Sequence, residues 1–177
     1  MNIKKLRELK KNKKGFTLIE IIVVIVILAV LMAVAVPSVL NYLNEADNAK
    51  YMAQARTVLT TAQAETVKAY VGDSKISTDE WTAMIKDTNP YGTINKAIGT
   101  GTKELATNIK LYAAATVTQA GDVIKVTDVT EIPTNAEYTS KPDIKVITFT
   151  LDSKKIAIEL NGKVYISDTA IDAPTNP

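Results

Sequence analysis

One carboxylate, Glu20, stands in an otherwise apolar stretch from Phe16 to Val36, where Thr17 is the only other polar residue. Placing an ionised side chain at mid-bilayer costs ~2.5–3.5 kcal/mol on insertion scales. Either Glu20 sits at an aqueous edge near a helix start, where the helix dipole and headgroup water tolerate it, or it awaits a partner. Elsewhere the chain offers little reactive chemistry. It has no cysteine and no histidine, which removes disulfide scaffolds, thiol nucleophiles, Cys/His zinc sites and Ser-His-Asp arrangements. No Gly-rich phosphate loop or nucleophile motif occurs. Ser153-Lys154 is a nominal Ser–Lys pair, but neighbours on a hairpin-rich strand are expected to be solvated. Asp122, Asp128, Asp143 and Asp152 lie near strand ends without EF-hand spacing and read as surface acids. The chain is expected not to be an enzyme and to need no cofactor or metal.

The charge of +2 averages two unlike parts. Seven lysines and arginines against Glu8 give residues 1–15 a charge of +6, so the other 162 residues carry −4. A basic tail on an acidic body is an addressing device, not the basic face of a nucleic-acid-binding fold, and no nucleic-acid partner is expected. After the tail, Ile21–Val36 is an unbroken run of 16 apolar residues. Together with Phe16–Glu20 it matches the ~20 residues that span a ~30 Å hydrocarbon core. The preceding lysines place the amino terminus in the cytoplasm. Three processing readings fit such a segment. Ala33-Val34-Ala35 offers a secretory cleavage site, although the apolar run is longer than a signal core of about 7–15 residues. An uncleaved signal anchor is the second.

The third reading rests on the junction Lys14-Gly15-Phe16-Thr17-Leu18-Ile19-Glu20. This resembles the prepilin processing site of type IV pilins. There, a short basic leader ends in glycine, an aromatic residue opens the mature chain, and a glutamate is its fifth residue. Gly15, Phe16 and Glu20 fill those positions, and the match covers roughly residues 8–37. The resemblance implies cleavage between Gly15 and Phe16, N-methylation of Phe16, and pairing of Glu20 with the new amine on Phe16 of a neighbouring subunit. It implies a structural subunit, a major pilin in rank, that polymerises into a surface fibre for adhesion, biofilm formation and twitching motility. A pseudopilin of a type II secretion or DNA-uptake system shares the same signal, and a membrane-anchored binding domain that never polymerises is the third class. The implied partners are the membrane before assembly, a prepilin peptidase, the assembly machinery with its ATPases, and further copies of the chain. The subunit would be a single-pass protein of the cytoplasmic membrane before assembly and part of a surface pilus afterwards. Nineteen lysines against two arginines suit a clostridium-like Gram-positive source.

These residues need elements to position them. Beyond Pro37, where a kink is expected, Val39, Leu40, Leu43, Ala46, Val58, Leu59 and Ala62 recur at helical steps among polar residues. One helix from about Phe16 to Val71 would be ~84 Å long, ending at Gly72-Asp73-Ser74. Ser77 and Glu80 have capping-box spacing for a short helix through Trp81, which ends by Asn89-Pro90-Tyr91-Gly92. Residues 93–108 read as irregular, with a helical turn near Glu104–Thr107. Strands are expected at 109–118, 122–129, 144–151, 155–160 and 163–167, with a loop over 132–142. Asn161-Gly162 is a hairpin turn in which both residues tolerate positive φ. Asp172 onward reads as a polar tail. The fold class is therefore α+β, a long amino-terminal helix packed on an antiparallel sheet of four or five strands. The parts are a basic leader (1–15), an apolar assembly helix (16–37) and a head (38–177). Trp81 is expected to anchor the short helix, Tyr42 and Tyr51 to pack between helices, and Tyr70 to join the core. Two features depart from many pilins. No disulfide closes the last loop, leaving the Asn161-Gly162 hairpin and packing to hold the carboxyl end. Ala29 stands where a helix-breaking glycine is common, so Pro37 is the only breaker.

Overall fold

The computed structural model describes residues 16–88, 91–99 and 105–174, for Asp73 the backbone only. The leader with Gly15, the Asn89-Pro90 turn, Glu104 and the last three residues lie outside these. Helix α1 spans Leu18–Asp73 as one 56-residue element and continues through Pro37. It ends where Ser74 enters the left-handed region at φ 63°, with its N–H donating to Tyr70 O at 2.8 Å. A serine, and not Gly72, thus supplies the left-handed C-terminal residue that such helix ends use.

The chain divides into two compact units, residues 1–46 and 47–177. In the first, every described residue is exposed. In the second, Tyr51, Ala55, Val58, Leu59 and Ala62 form the buried stripe of α1 and join one core with Trp81, Ile147, Phe149, Ile156 and Ile158. The three- and four-residue steps between them are those of one helical face. Tyr51 therefore packs into this core, 7% exposed, and not between helices as the sequence suggested.

Two short helices follow. Helix α2, Thr78–Ile85, carries the expected capping box. The expectation of irregular structure over 93–108 fails on both sides of residues 100–104. Thr93–Ile98 is helix α3, and Ala106-Thr107 open a strand instead of a helical turn. Tertiary contacts decide both. A Cβ on Gly92 would lie 2.5 Å from Met84 O, so only glycine permits that approach of backbones. Buried Asn95 then accepts from Ala106 N–H at 2.7 Å and donates to Lys86 O and Ala106 O, both at 3.1 Å.

The sheet has six strands in the order β5-β4-β3-β1-β2-β6. They are β1 Ala106–Ala120, β2 Val123–Glu131, β3 Val146–Leu151, β4 Lys154–Glu159, β5 Val164–Ser167 and β6 Ala170–Asp172. Strand β1 pairs with β3 through its first half and with β2 through its second. Register shifts in both ladders, with Asn108 and Asp128 at positive φ, bend it as bulges do. The sheet curls, and each face is buried against something different. Ile147, Phe149, Ile156 and Ile158 face the α1 stripe. Tyr112, Val117, Ile124, Val126, Val146, Ala157 and Tyr165 form a second core inside the curl.

Two turn expectations change. The two-residue turn with both φ positive is Asp152-Ser153, at 48° and 70°, joining Leu151 to its partner Lys154. At Asn161-Gly162 only Gly162 is left-handed, at 84°. Asn161 works through its side chain, accepting from Lys163 N–H at 2.8 Å. The tail is not wholly free of structure either, because Ala170–Asp172 pairs in parallel with Val123–Lys125. Asp122 secures the approach to that strand. Its carbonyl accepts from the hydroxyls of Ser167 and Thr169, and its Oδ1 accepts from Asp168 N–H at 3.0 Å. The carboxyl end is thus held by a clamp on the β1–β2 turn as well as by the hairpin.

Candidate functional site

Phe16, Thr17 and Glu20 stand at the start of α1. The Phe16 side chain is fully in the open, 83% exposed. Thr17 N–H and Thr17 Oγ1 both donate to Glu20 Oε2, at 2.8 and 3.0 Å. Glu20 N–H donates to Thr17 Oγ1 at 3.3 Å. This reciprocal arrangement is a capping box, which satisfies backbone donors left over at a helix start. Thr17 and Glu20 have the same spacing as Ser77 and Glu80, the signal in the sequence that marks such a cap.

From Leu18 to Leu43 the helix is exposed, and its apolar side chains are not covered by any described residue. Leu18, Ile19, Val24, Ile27, Leu31 and Val34 range from 51% to 78% exposed. One 18-residue window has a mean hydropathy of 3.3, so the helix is long and apolar enough to cross a membrane. Water is a poor solvent for such a surface, since each Å² of apolar area left exposed forgoes ~25 cal/mol. Lipid or other apolar helices are the surroundings that suit it.

In the second unit, the residues singled out from the sequence as candidates have local partners. Ser153 sits in the β3–β4 turn with φ 70°, and Lys154 Nζ is ion-paired with Asp168. That pairing holds the Lys154 ammonium above its usual range, the wrong direction for a general base. Among the described residues no group of three His, Cys, Asp or Glu could hold a metal ion. Asp143 pairs with Lys145 at 2.9 Å, and Asp152 accepts from the Tyr51 hydroxyl at 3.2 Å. Burial, then that hydrogen bond, pushes the Tyr51 phenol up. Trp81 is fully buried, edge-on to Tyr138 with ring centroids 6.3 Å apart. Tyr42 stays 71% exposed, and Tyr70 packs against the main core.

Comparison with known proteins agrees with the position of this chemistry. Neither a curated protein nor a solved structure matches the chain. A family model does, described as the prokaryotic N-terminal methylation motif, over residues 10–36. The match begins in the basic tail, crosses Gly15, Phe16, Thr17 and Glu20, and ends at the residue before Pro37. From Lys10 to Val36 this chain therefore carries the prokaryotic N-terminal methylation motif, the signal of type IV pilins and pilin-like proteins.

Proposed function

We propose that the chain is the precursor of a structural subunit that polymerises through α1 into a type IV pilus fibre. Residues 1–15 are a leader removed by a prepilin peptidase at Gly15-Phe16, and the new amine on Phe16 is methylated. Residues 16–37 hold the subunit in the membrane until assembly, with the leader in the cytoplasm, and α1 bends at Pro37. Residues 38–177 form the extracellular head. In the fibre, the Glu20 carboxylate neutralises the Phe16 amine of a neighbouring copy. The single observation that carries this reading is the methylation motif lying on a helix start with an uncovered apolar surface. Such a surface suits lipid first and neighbouring helices afterwards. Fibre display then accounts for adhesion, biofilm formation and motility.

A mass spectrum of the amino-terminal peptide tests the processing. A mature chain beginning at Phe16, about 14 mass units heavier per methyl, is expected. A start at Val36 would mean a secreted soluble protein, and an intact Met1 a plain anchor. Electron microscopy of sheared surface material then tests polymerisation, since a membrane-anchored binding domain gives no fibre. Normal secretion lost on deletion, with no surface fibre, would point to a pseudopilin.

A further inference from the structure

Both hydrogen bonds from Thr17 to the Glu20 carboxylate end on one oxygen, Oε2. Among the described residues, none ends on Oε1. The Thr17 hydroxyl uses its single proton on that carboxylate and one lone pair on Glu20 N–H. A glutamate side chain on an uncovered helix surface otherwise samples many rotamers. Here one oxygen is tied to the helix start and the other is left outward. We infer that Thr17 is a positioning residue for assembly: its hydroxyl fixes the Glu20 carboxylate so that Oε1 is presented to the amine of a second copy. This rests on the proposed pairing of Glu20 with Phe16 of a neighbour and says how that pairing is prepared.

The two roles of the box are separable. Capping needs an acceptor for the first N–H groups, and glycine replaces Ser or Thr at that position at little cost to the helix. The Thr17 N–H holds Oε2 in every variant; the hydroxyl is the second donor on that oxygen, which serine keeps and glycine and valine lack. A hydrogen bond to a charged group contributes about a factor of ten or more to an equilibrium. Losing it should reduce productive encounters with the neighbouring amine by that order.

The test uses the full-length chain in its own cell, with Thr17→Val, Thr17→Gly, Thr17→Ser and Glu20→Gln compared with wild type. The amount of subunit in sheared fibres is divided by the amount of cleaved subunit in the membrane. Thr17→Val and Thr17→Gly should both be cleaved and methylated, yet give a ratio lowered about tenfold. Thr17→Ser should stay within about twofold of wild type, as it keeps the hydroxyl. Normal fibres from Thr17→Gly with reduced fibres from Thr17→Val would mean that Thr17 is only a helix cap, and the inference would be wrong. Normal fibres from both, with Glu20→Gln defective, would overturn the inference and leave the charge pairing standing. If Glu20→Gln also assembles normally, the pairing itself fails and the inference goes with it. Failure of either Thr17 variant to be cleaved would put the hydroxyl's role at processing and equally overturn the inference.

Discussion

Thr17–Glu20 and Ser77–Glu80 are the same device in two settings. In each, the backbone N–H of the first residue donates to Oε2 of the fourth at 2.8 Å, and the hydroxyl donates to the same oxygen at 3.0 or 2.9 Å. The returning N–H lies 3.3 Å from the hydroxyl in both. What differs is everything around them. The residue after Glu80 is Trp81, fully buried in a core, so the second box fixes how a helix enters a packed head. The residues after Glu20 are apolar and uncovered, so the first box stands on a surface that needs lipid or another helix. Identical local chemistry thus leads into a packed core in one place and onto an uncovered apolar surface in the other.

Substituting the two glutamates should separate these roles, and Glu20 should give the larger effect. Glu20→Ala makes the apolar segment more apolar, so membrane insertion and cleavage after Gly15 should persist. Each Phe16 amine in a fibre would then lack its counter-charge, and an unpaired buried charge costs several kcal/mol. Mature subunits should collect in the membrane fraction, with few or none in sheared surface material. Glu20→Gln should fail nearly as badly, because it keeps size but loses charge. Normal fibre yields from both would leave the first box as a helix cap and nothing more.

The next effect belongs to the head alone. A fragment beginning near Ser38 retains Tyr51, Val58 and Leu59 of the α1 stripe and both cores, so it should be soluble and folded, with a melting temperature indifferent to reducing agent. Within it, Trp81→Ala removes the largest fully buried side chain and should cost ~3–5 kcal/mol. Calorimetry reads this directly. A loss below about 1 kcal/mol, the scale of ordinary surface substitutions, would mean that α2 is not anchored through Trp81.

Ser167→Ala should come third. Ser167 is 1% exposed; its hydroxyl donates to Asp122 O and accepts from Thr169 N–H at 3.1 Å. Removing it takes one hydrogen bond from Asp122 O, which keeps the Thr169 hydroxyl, and one from Thr169 N–H, at ~0.5–1.5 kcal/mol each, and loosens β6. Urea denaturation of the same fragment measures the loss. Hydrogen exchange should show Val123–Lys125, the partners of β6, losing protection first. Unchanged exchange there would remove the clamp as what secures the carboxyl end.

The contrast between clamp and cap also explains what could be read from the sequence. The apolar run, the amphipathic half of α1, the Ser77–Glu80 box and most strands are local patterns, set by period or by spacings of three or four residues. The clamp is not. Asp122 and Ser167 lie 45 positions apart, and β6 has three residues, too few to show a period. Helix α3 escaped for the same reason, because Gly92 against Met84 O and Asn95 against Ala106 are tertiary facts. Asp152-Ser153 hid a left-handed turn in residues that are not glycine, which Asp tolerates better than most. At the candidate site, the methylation motif was legible from the spacing of Gly15, Phe16 and Glu20. The Thr17 hydroxyl contact was not, because the resemblance rests on the glycine, the aromatic residue and the acid, and says nothing of the residue between them.

The smallest effect expected is that of the second cap, and its pH dependence makes it distinctive. Hydrogen bonds from the Ser77 backbone N–H and then its hydroxyl hold the Glu80 carboxyl below its ordinary range, with Lys75 adding a little. A carboxyl lowered in the folded state contributes stability above its unfolded value, about 4.3 for glutamate, and loses it as pH falls through the folded value. Ser77→Ala should therefore destabilise the Ser38 fragment by ~1 kcal/mol at neutral pH. Most of the reciprocal half of the box is already gone once Glu80 is protonated, so the gap between Glu80→Gln and wild type should narrow as the solution is acidified below pH ~4. Other carboxylates titrate in the same range but are common to both proteins, so the difference isolates Glu80. Matched urea denaturations at neutral and acid pH supply it. A gap that stays constant, or widens in acid, would show that the ionised carboxylate is not what the second box stabilises.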